Sequence, residues 1–286
     1  MNTTALLPRR ARTAGRRPPY LAALTTLRGR LGLLLVGLVV LAGLFAPLLT
    51  STGPTDQSSD PLLSLGSPGH PLGTDDLGRD LLSRVLYGIR TDLEVIAVAV
   101  PLGILAGCAL ALSAAVHPVA DTVVQRVFDL LLAFPGLILA LAVTAVLGPG
   151  RLPVIVVIAL AEIPVFGRQL RAGILIQRER EYVLAARLGG ARKARLLLRH
   201  ILPNCLDPLV VQISVSLTVA VFIEGAMSFL GVGVAPPEPT LGGVLNQAMP
   251  YLAQSPSLSV GPLLAILLLV LGLSLLSEAL NREIRR

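Results

Sequence analysis

The sequence predicts an all-α membrane protein with six transmembrane helices, and its composition, hydropathy and charge each support this fold class. Of the 286 residues, 53% are hydrophobic and 14% are charged, whereas about a quarter of the residues in soluble domains are charged. The apolar residues form long uncharged runs without the alternation of barrel strands, so helices are the expected spanning structure. The basic residues that produce the net charge of +7 flank these runs. This placement indicates membrane topology and no nucleic-acid partner.

Each predicted span is a run long enough to cross a bilayer. A helix rises about 1.5 Å per residue, so about 20 residues cover the hydrocarbon core. The first run is expected to be retained rather than cleaved as a targeting signal, because no small-residue cleavage site follows it. The fourth is short and contains Glu162, and its helix is expected to extend toward Arg171. The predicted spans are 31–49, 95–116, 130–150, 152–167, 208–235 and 258–277.

The distribution of basic residues predicts the orientation of these spans. If the N-terminus lies inside, 20 of the 24 Lys and Arg residues fall on the cytoplasmic side and four fall outside. Basic residues near span ends favour the cytoplasmic side, so both termini are predicted to be cytoplasmic. The resulting organisation is a cytoplasmic Arg-rich tail (1–30), a first transmembrane helix (31–49), an extracytoplasmic segment with an amphipathic helix (50–92), a transmembrane core (93–280) with a basic cytoplasmic loop (171–204), and a cytoplasmic tail (281–286).

The basic loop contains the stretch EYVLAARLGGARKARLLLRHILPN, residues 181–204. Good helix formers predict a helix over 179–188, and Gly189-Gly190 predicts a turn after it. A second basic helix is expected over 191–201, ending at Leu202-Pro203. Two interpretations follow from these residues alone: the loop lies on the membrane surface, or it docks another protein.

Catalytic and metal chemistry are not indicated. The single lysine, Lys193, is not in a phosphate-binding Gly-x-x-x-x-Gly-Lys motif, so the chain is not expected to hydrolyse nucleotide or to be an enzyme. The two cysteines are too few for a disulfide framework, and the three histidines have no ligand spacing, so no metal site is expected. Four glycines are expected to permit close helix packing: Gly136, Gly225, Gly231 and Gly233.

The basic loop resembles the cytoplasmic coupling loop of bacterial ABC importer permeases. Two positions differ from the usual pattern, because Leu184 replaces an acidic residue and His200 replaces an apolar one. Further stretches at 70–90, 127–143 and 227–245 resemble the C-type permease subunit of dipeptide, oligopeptide and nickel importers. The residues that match the coupling pattern are Ala185, Ala186, Gly190, Leu202 and Pro203.

The resemblance implies a subunit in the bacterial plasma membrane that translocates di- or oligopeptides, with nickel or another small solute as the alternative. It also implies a heterodimer with a second permease, two cytoplasmic ABC ATPase subunits or domains, an extracytoplasmic substrate-binding protein and surrounding membrane lipid. This chain is expected to hold no cofactor, and ATP and Mg would bind to the ATPases. The implied ATPase-coupling residues are Glu181, Tyr182, Ala185, Ala186, Gly189, Gly190, Arg192 and Lys193.

Ionisable residues within the spans are candidates for the translocation pathway. A charge at the bilayer centre costs about 2.5–3.5 kcal/mol on insertion scales, so such a group is expected to face a cavity or a neighbouring helix. Glu224, Met227 and Glu162 are the pathway candidates, with a structural carboxyl as the alternative. A stand-alone secondary transporter would also use such groups, but it predicts an inverted internal repeat that the sequence does not show.

Overall fold

The structure, a computed structural model, describes residues 19–284, and the predicted Arg-rich segment 1–18 and residues 285–286 lie outside the described part. The only β contacts among the described residues are three isolated bridges. The helices are α1 (Pro19–Thr25), α2 (Leu27–Leu44), α3 (Ala46–Leu49), α4 (Leu81–Val116), α5 (Pro118–Ala133), α6 (Gly136–Leu147), α7 (Arg151–Arg178), α8 (Glu181–Leu188), α9 (Lys193–Arg195), α10 (Leu206–Phe229), α11 (Leu241–Ala248) and α12 (Ser257–Ile284).

Five helical segments are long and apolar enough to cross a membrane: α2, α4, α7, α12 and the continuous stretch Leu196–Phe229. The bent pair of α5 and α6 raises the number to six if it counts as one span. The predicted all-α membrane fold is therefore confirmed, and two helices joined at a sharp bend stand in place of the predicted third span.

The break between α5 and α6 is a correction to the predicted run 130–150. The two helices meet at an angle of 93° around Phe134 and Pro135. Phe134 is extended, with φ −80° and ψ 124°, because the proline ring disfavours helical backbone at the preceding residue. Pro135 lies just before the first turn of α6. Backbone N–H groups at this position have no partner within the helix, so the proline costs no hydrogen bond.

Helix α4 joins two parts that the sequence analysis separated. The predicted amphipathic helix and the predicted second span form one helix of 36 residues, so the expected boundary at residue 92 falls inside it. At about 1.5 Å per residue this helix is about 54 Å long and extends well beyond a hydrocarbon core. Asp80 begins the helix, because its carboxylate accepts a hydrogen bond from the Ser83 N–H at 2.7 Å.

The pairing of α4 and α7 forms the centre of the bundle, and α12 packs on α2 and α10. A Cβ atom added to Gly107 on α4 would lie 2.4 Å from the Ile163 carbonyl oxygen of α7, so the two backbones approach closely there. Of the four predicted packing glycines only Gly233 is crowded, since an added Cβ meets nothing within 4 Å at Gly136, Gly225 or Gly231. Within this chain, the space beside those three positions does not itself require glycine.

Candidate functional site: the coupling loop and the buried carboxyl groups

The predicted turn of the basic loop lies where α8 ends. Helix α8 spans Glu181–Leu188, two residues shorter than predicted. Gly190 has φ +81°, a left-handed conformation that glycine adopts without a Cβ clash, and its N–H donates to the Arg187 carbonyl at 3.0 Å. The Ala191 N–H then donates to the Ala186 carbonyl at 3.1 Å, which turns the chain back toward the bundle.

The second half of the loop differs from the predicted helix over 191–201. Only Lys193–Arg195 is α-helical there, and a π-helical segment, Leu196–Ile201, leads into a 3-10 turn, Leu202–Cys205. Pro203 does not end the helical path, because it occupies the first turn of the 3-10 segment, where no N–H is needed. The loop therefore continues into α10 without an extended break.

An apolar cluster fixes the loop to α7. Val183 of α8 and Leu196 and Ile201 of the π-helical segment are buried against Phe166 and Ile174 of α7. Among these residues, Val183 and Phe166 are 0% exposed, so the position of α8 depends on the C-terminal half of α7. A movement of α8 would therefore be transmitted to α7 through packed side chains.

The remainder of α8 faces away from the bundle. Leu188 is 81% exposed and Leu184 is 53% exposed, which leaves an apolar surface on a basic loop. Ala185 is exposed and Ala186 is half-buried. The surface between the leucines therefore carries only small side chains. Sequence reasoning missed Leu188 as part of this surface, although its spacing of four residues from Leu184 places both on one helical face.

The other predicted coupling residues have distinct positions. Tyr182 contacts its own chain, because its hydroxyl donates to Gln177 Oε1 at 2.9 Å and lies 3.3 Å from the His200 carbonyl oxygen. Its contacts connect α8 with α7 and with the π-helical segment. Four of the others are exposed: Glu181, Gly189, Gly190 and Arg192. The side chain of Lys193 lies outside the described part of the structure.

The three predicted pathway residues are all buried within the chain in this conformation. Glu162 on α7 is 2% exposed, and the Ser216 hydroxyl of α10 donates to its Oε2 at 2.5 Å. Glu224 on α10 is 1% exposed and accepts a hydrogen bond from the Ser228 hydroxyl at 2.7 Å. Met227 is 1% exposed. These contacts are the ones expected of a structural carboxyl group. A role in the translocation pathway stays a prediction for the assembled transporter.

Asp92 is a buried partner of Glu224 that sequence reasoning placed in the extracytoplasmic segment. It is 3% exposed on α4, and its carboxyl group neighbours that of Glu224. Its Oδ2 also accepts a hydrogen bond from the Leu241 N–H, the first residue of α11, at 3.2 Å. The acid pair therefore joins α4, α10 and α11 at one point. An aspartate followed by a long apolar run is the only sequence signal of this contact.

The predicted extracytoplasmic segment is anchored by a buried ion cluster. Asp75 accepts hydrogen bonds from Arg79 Nε at 2.7 Å and from Arg84 Nη1 at 2.5 Å. All three residues are at most 6% exposed. Arg79 Nη2 also donates to Gln247 Oε1 of α11 at 3.1 Å, so the cluster attaches the segment to α4 and α11 together.

The comparison with protein families decides the identity of the fold. The profile described as "Binding-protein-dependent transport system inner membrane component" matches residues 99–286. The chain belongs to this family. Its members are multi-pass proteins of the inner membrane, in agreement with the apolar helices α2, α4, α7, α10 and α12. The family name itself also implies a partner that binds substrate.

Individual relatives agree with this membership. The chain is 39% identical over 257 residues to the di/tripeptide transport system permease protein DppC of Pseudomonas aeruginosa, covering 87% of this chain and 85% of that protein. It is 35% identical over 251 residues to the dipeptide transport system permease protein DppC of Alkalihalophilus pseudofirmus, covering 87% and 83%. The resemblance to the C-type permease subunits of ABC importers is thereby confirmed.

A solved structure supports the fold. An amino acid ABC transporter with histidines aligns with a TM-score of 0.57 and 18% identity, covering 70% of this chain and 94% of that chain. This permease family forms the non-catalytic membrane part of ABC transporters, whose other parts include an ATPase and a substrate-binding protein. The exposed face of α8 and the buried carboxyl groups are thus features of a transport subunit.

Proposed function

We propose that this chain is the translocation subunit of an ATP-driven importer of di- or oligopeptides. The named substrates of its relatives are dipeptides and di- or tripeptides, and these relatives align along most of both chains. The observation that supports ATP-driven action best is the exposed apolar face of α8, defined by Leu184 and Leu188, on a loop packed against α7. Exposed apolar side chains on a basic loop suit contact with a partner protein.

The proposed coupling path uses the two segments that flank the loop. An ATPase docked on α8 would push or pull Val183, which is buried against the inner end of α7. The π-helical segment is continuous with α10, so the same movement would reach Glu224 and the acid pair. ATP and Mg bind to the ATPases in this scheme, and this chain changes between inward-open and outward-open conformations.

A second permease would cover the bent pair α5 and α6. Helix α6 packs mainly on α7, and much of its remaining surface is apolar and exposed. Neighbouring helices of a second subunit would satisfy the polar backbone groups at the 93° break, which lipid cannot do. A homologous permease in a heterodimer therefore fits this face, with the peptide pathway at the interface between the two subunits.

The experiment that tests this function changes the exposed face of α8 in the assembled transporter. Leu188→Glu is expected to abolish co-purification of the ATPase and peptide-stimulated ATP hydrolysis, because a buried unpaired charge opposes docking. Leu65→Glu is the matched control, since Leu65 is 56% exposed in the segment between α3 and α4. Both variants should retain the melting temperature of the parent protein.

Uptake measurements in vesicles distinguish the proposed importer from a secondary transporter and peptide from nickel as the substrate. Peptide uptake that needs ATP and the ATPase subunits supports the proposal. Uptake by this chain alone, driven by an ion gradient, would identify a secondary transporter, and uptake of nickel but not of dipeptides would assign the other substrate class.

A further inference from the structure

A cavity of about 580 Å³ lies between the bundle and the coupling loop. It is enclosed by the end of α4, the start of α5, the last third of α7 and the loop segment after α8. Its walls are mostly apolar, with Ala114, Ala115, Ile174 and Leu197 among the lining residues. Small alanine side chains on α4 leave the space open.

Three arginines and one carboxylate line the same cavity. Arg171 is neutralised, because its Nε and Nη2 donate to the two oxygens of Asp121 at 2.6 and 2.8 Å. Arg178 donates through Nη2 to the Ala115 carbonyl, which leaves its other N–H groups free for a ligand. Arg187 is exposed. Among the described residues, neither Arg178 nor Arg187 forms an ion pair within 4.0 Å, whereas the only carboxylate lining the cavity, Asp121, is paired with Arg171.

Two apolar residues that line the cavity are also exposed on the surface of the chain. Val116 at the end of α4 is 63% exposed and Leu175 of α7 is 44% exposed. Both belong to candidate membrane spans, near the ends that carry the predicted cytoplasmic loops. The cavity thus combines an exposed apolar edge with two guanidinium groups that form no ion pair among the described residues.

We propose that this cavity binds the headgroup of an anionic phospholipid from the cytoplasmic leaflet. The phosphate would contact Arg178 and Arg187, and the glycerol and first acyl carbons would contact the alanine-lined wall of α4. Basic pockets between transmembrane helices on the cytoplasmic side suit such headgroups. A soluble anion would gain nothing from the apolar wall, whereas a lipid uses both halves of the cavity.

The bound lipid would connect the membrane to the coupling loop. Arg178 belongs to α7 and Arg187 to α8, so one phosphate would join the end of a span to the helix that is proposed to dock the ATPase. The anionic lipid therefore acts as a structural ligand that holds α8 in position. This site is separate from the exposed leucine face, and its occupancy is measurable whether or not the proposed substrate is right.

The test is native mass spectrometry of the delipidated, assembled transporter titrated with phosphatidylglycerol or phosphatidylcholine. One phosphatidylglycerol is expected to bind more tightly than all others, with no matching phosphatidylcholine adduct. Arg178→Gln with Arg187→Gln should weaken this adduct roughly 25-fold, at roughly fivefold for each arginine removed. Ala194→Phe, which fills the cavity from the loop, should weaken it while all arginines remain.

The matched control is Arg199→Gln, an exposed arginine in the same loop that does not line the cavity. Its affinity for phosphatidylglycerol should equal that of the parent protein. Equal losses in Arg199→Gln and in the double variant would show general charge attraction and overturn the proposal. An unchanged adduct in both the double variant and Ala194→Phe would also overturn it, as would a segment of an ATPase filling the cavity in a structure of the complex.

Discussion

Asp75 pairs with Arg84 at 2.5 Å in a position where the arginine side chain is only 2% exposed. Arg79 binds the same carboxylate, so one acidic group compensates two buried guanidinium groups. Removing the shared partner of a buried ion pair is costly, because the remaining charges have neither water nor a counter-ion. The segment between α3 and α4 is therefore expected to lose stability when Asp75 is removed.

We expect Asp75→Ala to lower the melting temperature by on the order of 10 °C, since breaking a buried pair costs about 3–5 kcal/mol. A thiol-reactive fluorophore gives the measurement, because Cys108 and Cys205 are free and lie within the helical bundle. Asp60→Ala, at an exposed carboxylate in the same segment, should leave the melting temperature within about 2 °C of the parent protein. Equal effects of the two substitutions would contradict a structural role for the cluster.

The sequence predicted the positions of the spans but not how they join. Uncharged runs are visible in any hydropathy reading, and five of them became spanning helices. The amphipathic pattern of residues 75–90 predicted a helix, but periodicity does not reveal whether it continues into the next apolar run, as α4 does. The break at Pro135 depends on a single ring within an otherwise continuous run.

The buried polar contacts were harder to predict than the helices. In the sequence, Asp75, Arg79 and Arg84 have the spacing of charges on a solvated helix face. Their burial depends on packing against α11, where Arg79 donates to Gln247. The α8 helix followed from its composition and from the glycine pair. The π-helical segment did not, because its leucines fit α-helical and π-helical spacing equally well over six residues.

The acid pair in the bundle predicts different outcomes for two substitutions of Asp92. Asp92 Oδ2 accepts the Leu241 N–H, while Oδ1 has no hydrogen-bond partner among the described residues, and the carboxyl group of Glu224 lies nearby. An asparagine keeps an oxygen that can accept from Leu241 and adds an amide NH₂ group that can donate to Glu224. Asp92→Asn should therefore keep the melting temperature within about 2 °C.

Asp92→Ala should lower the melting temperature by roughly 3–10 °C, because the buried Leu241 N–H loses its acceptor at a cost of about 1–3 kcal/mol. The fluorophore assay compares the two variants directly. If asparagine is as damaging as alanine, the site needs a charge rather than a hydrogen bond, and this account of the pair is wrong.

The close approach of α4 and α7 predicts a strong effect of one added methyl group. Gly107→Ala would place its Cβ 2.4 Å from the Ile163 carbonyl oxygen, a backbone atom that cannot rotate away. Overpacking of this kind costs about 1–3 kcal/mol, so we expect a melting temperature lower by roughly 3–10 °C. Gly225→Ala is the control, since nothing lies within 4 Å of its added Cβ, and it should be neutral or slightly stabilising.

The basic residues of the coupling loop predict a loss of docking without a loss of folding. Arg192 and Arg195 are exposed, so reversing both charges together with that of Lys193 removes no buried contact of the two arginines. We expect the triple Glu variant to keep its melting temperature and to recover much less ATPase on co-purification, with the deficit growing at low salt as screening falls. Arg126→Glu, at a side chain that is 81% exposed in α5, should recover ATPase normally. Unchanged recovery of ATPase in the triple variant would indicate that the exposed leucines of α8 dock without the basic residues, and that the arginines serve orientation alone.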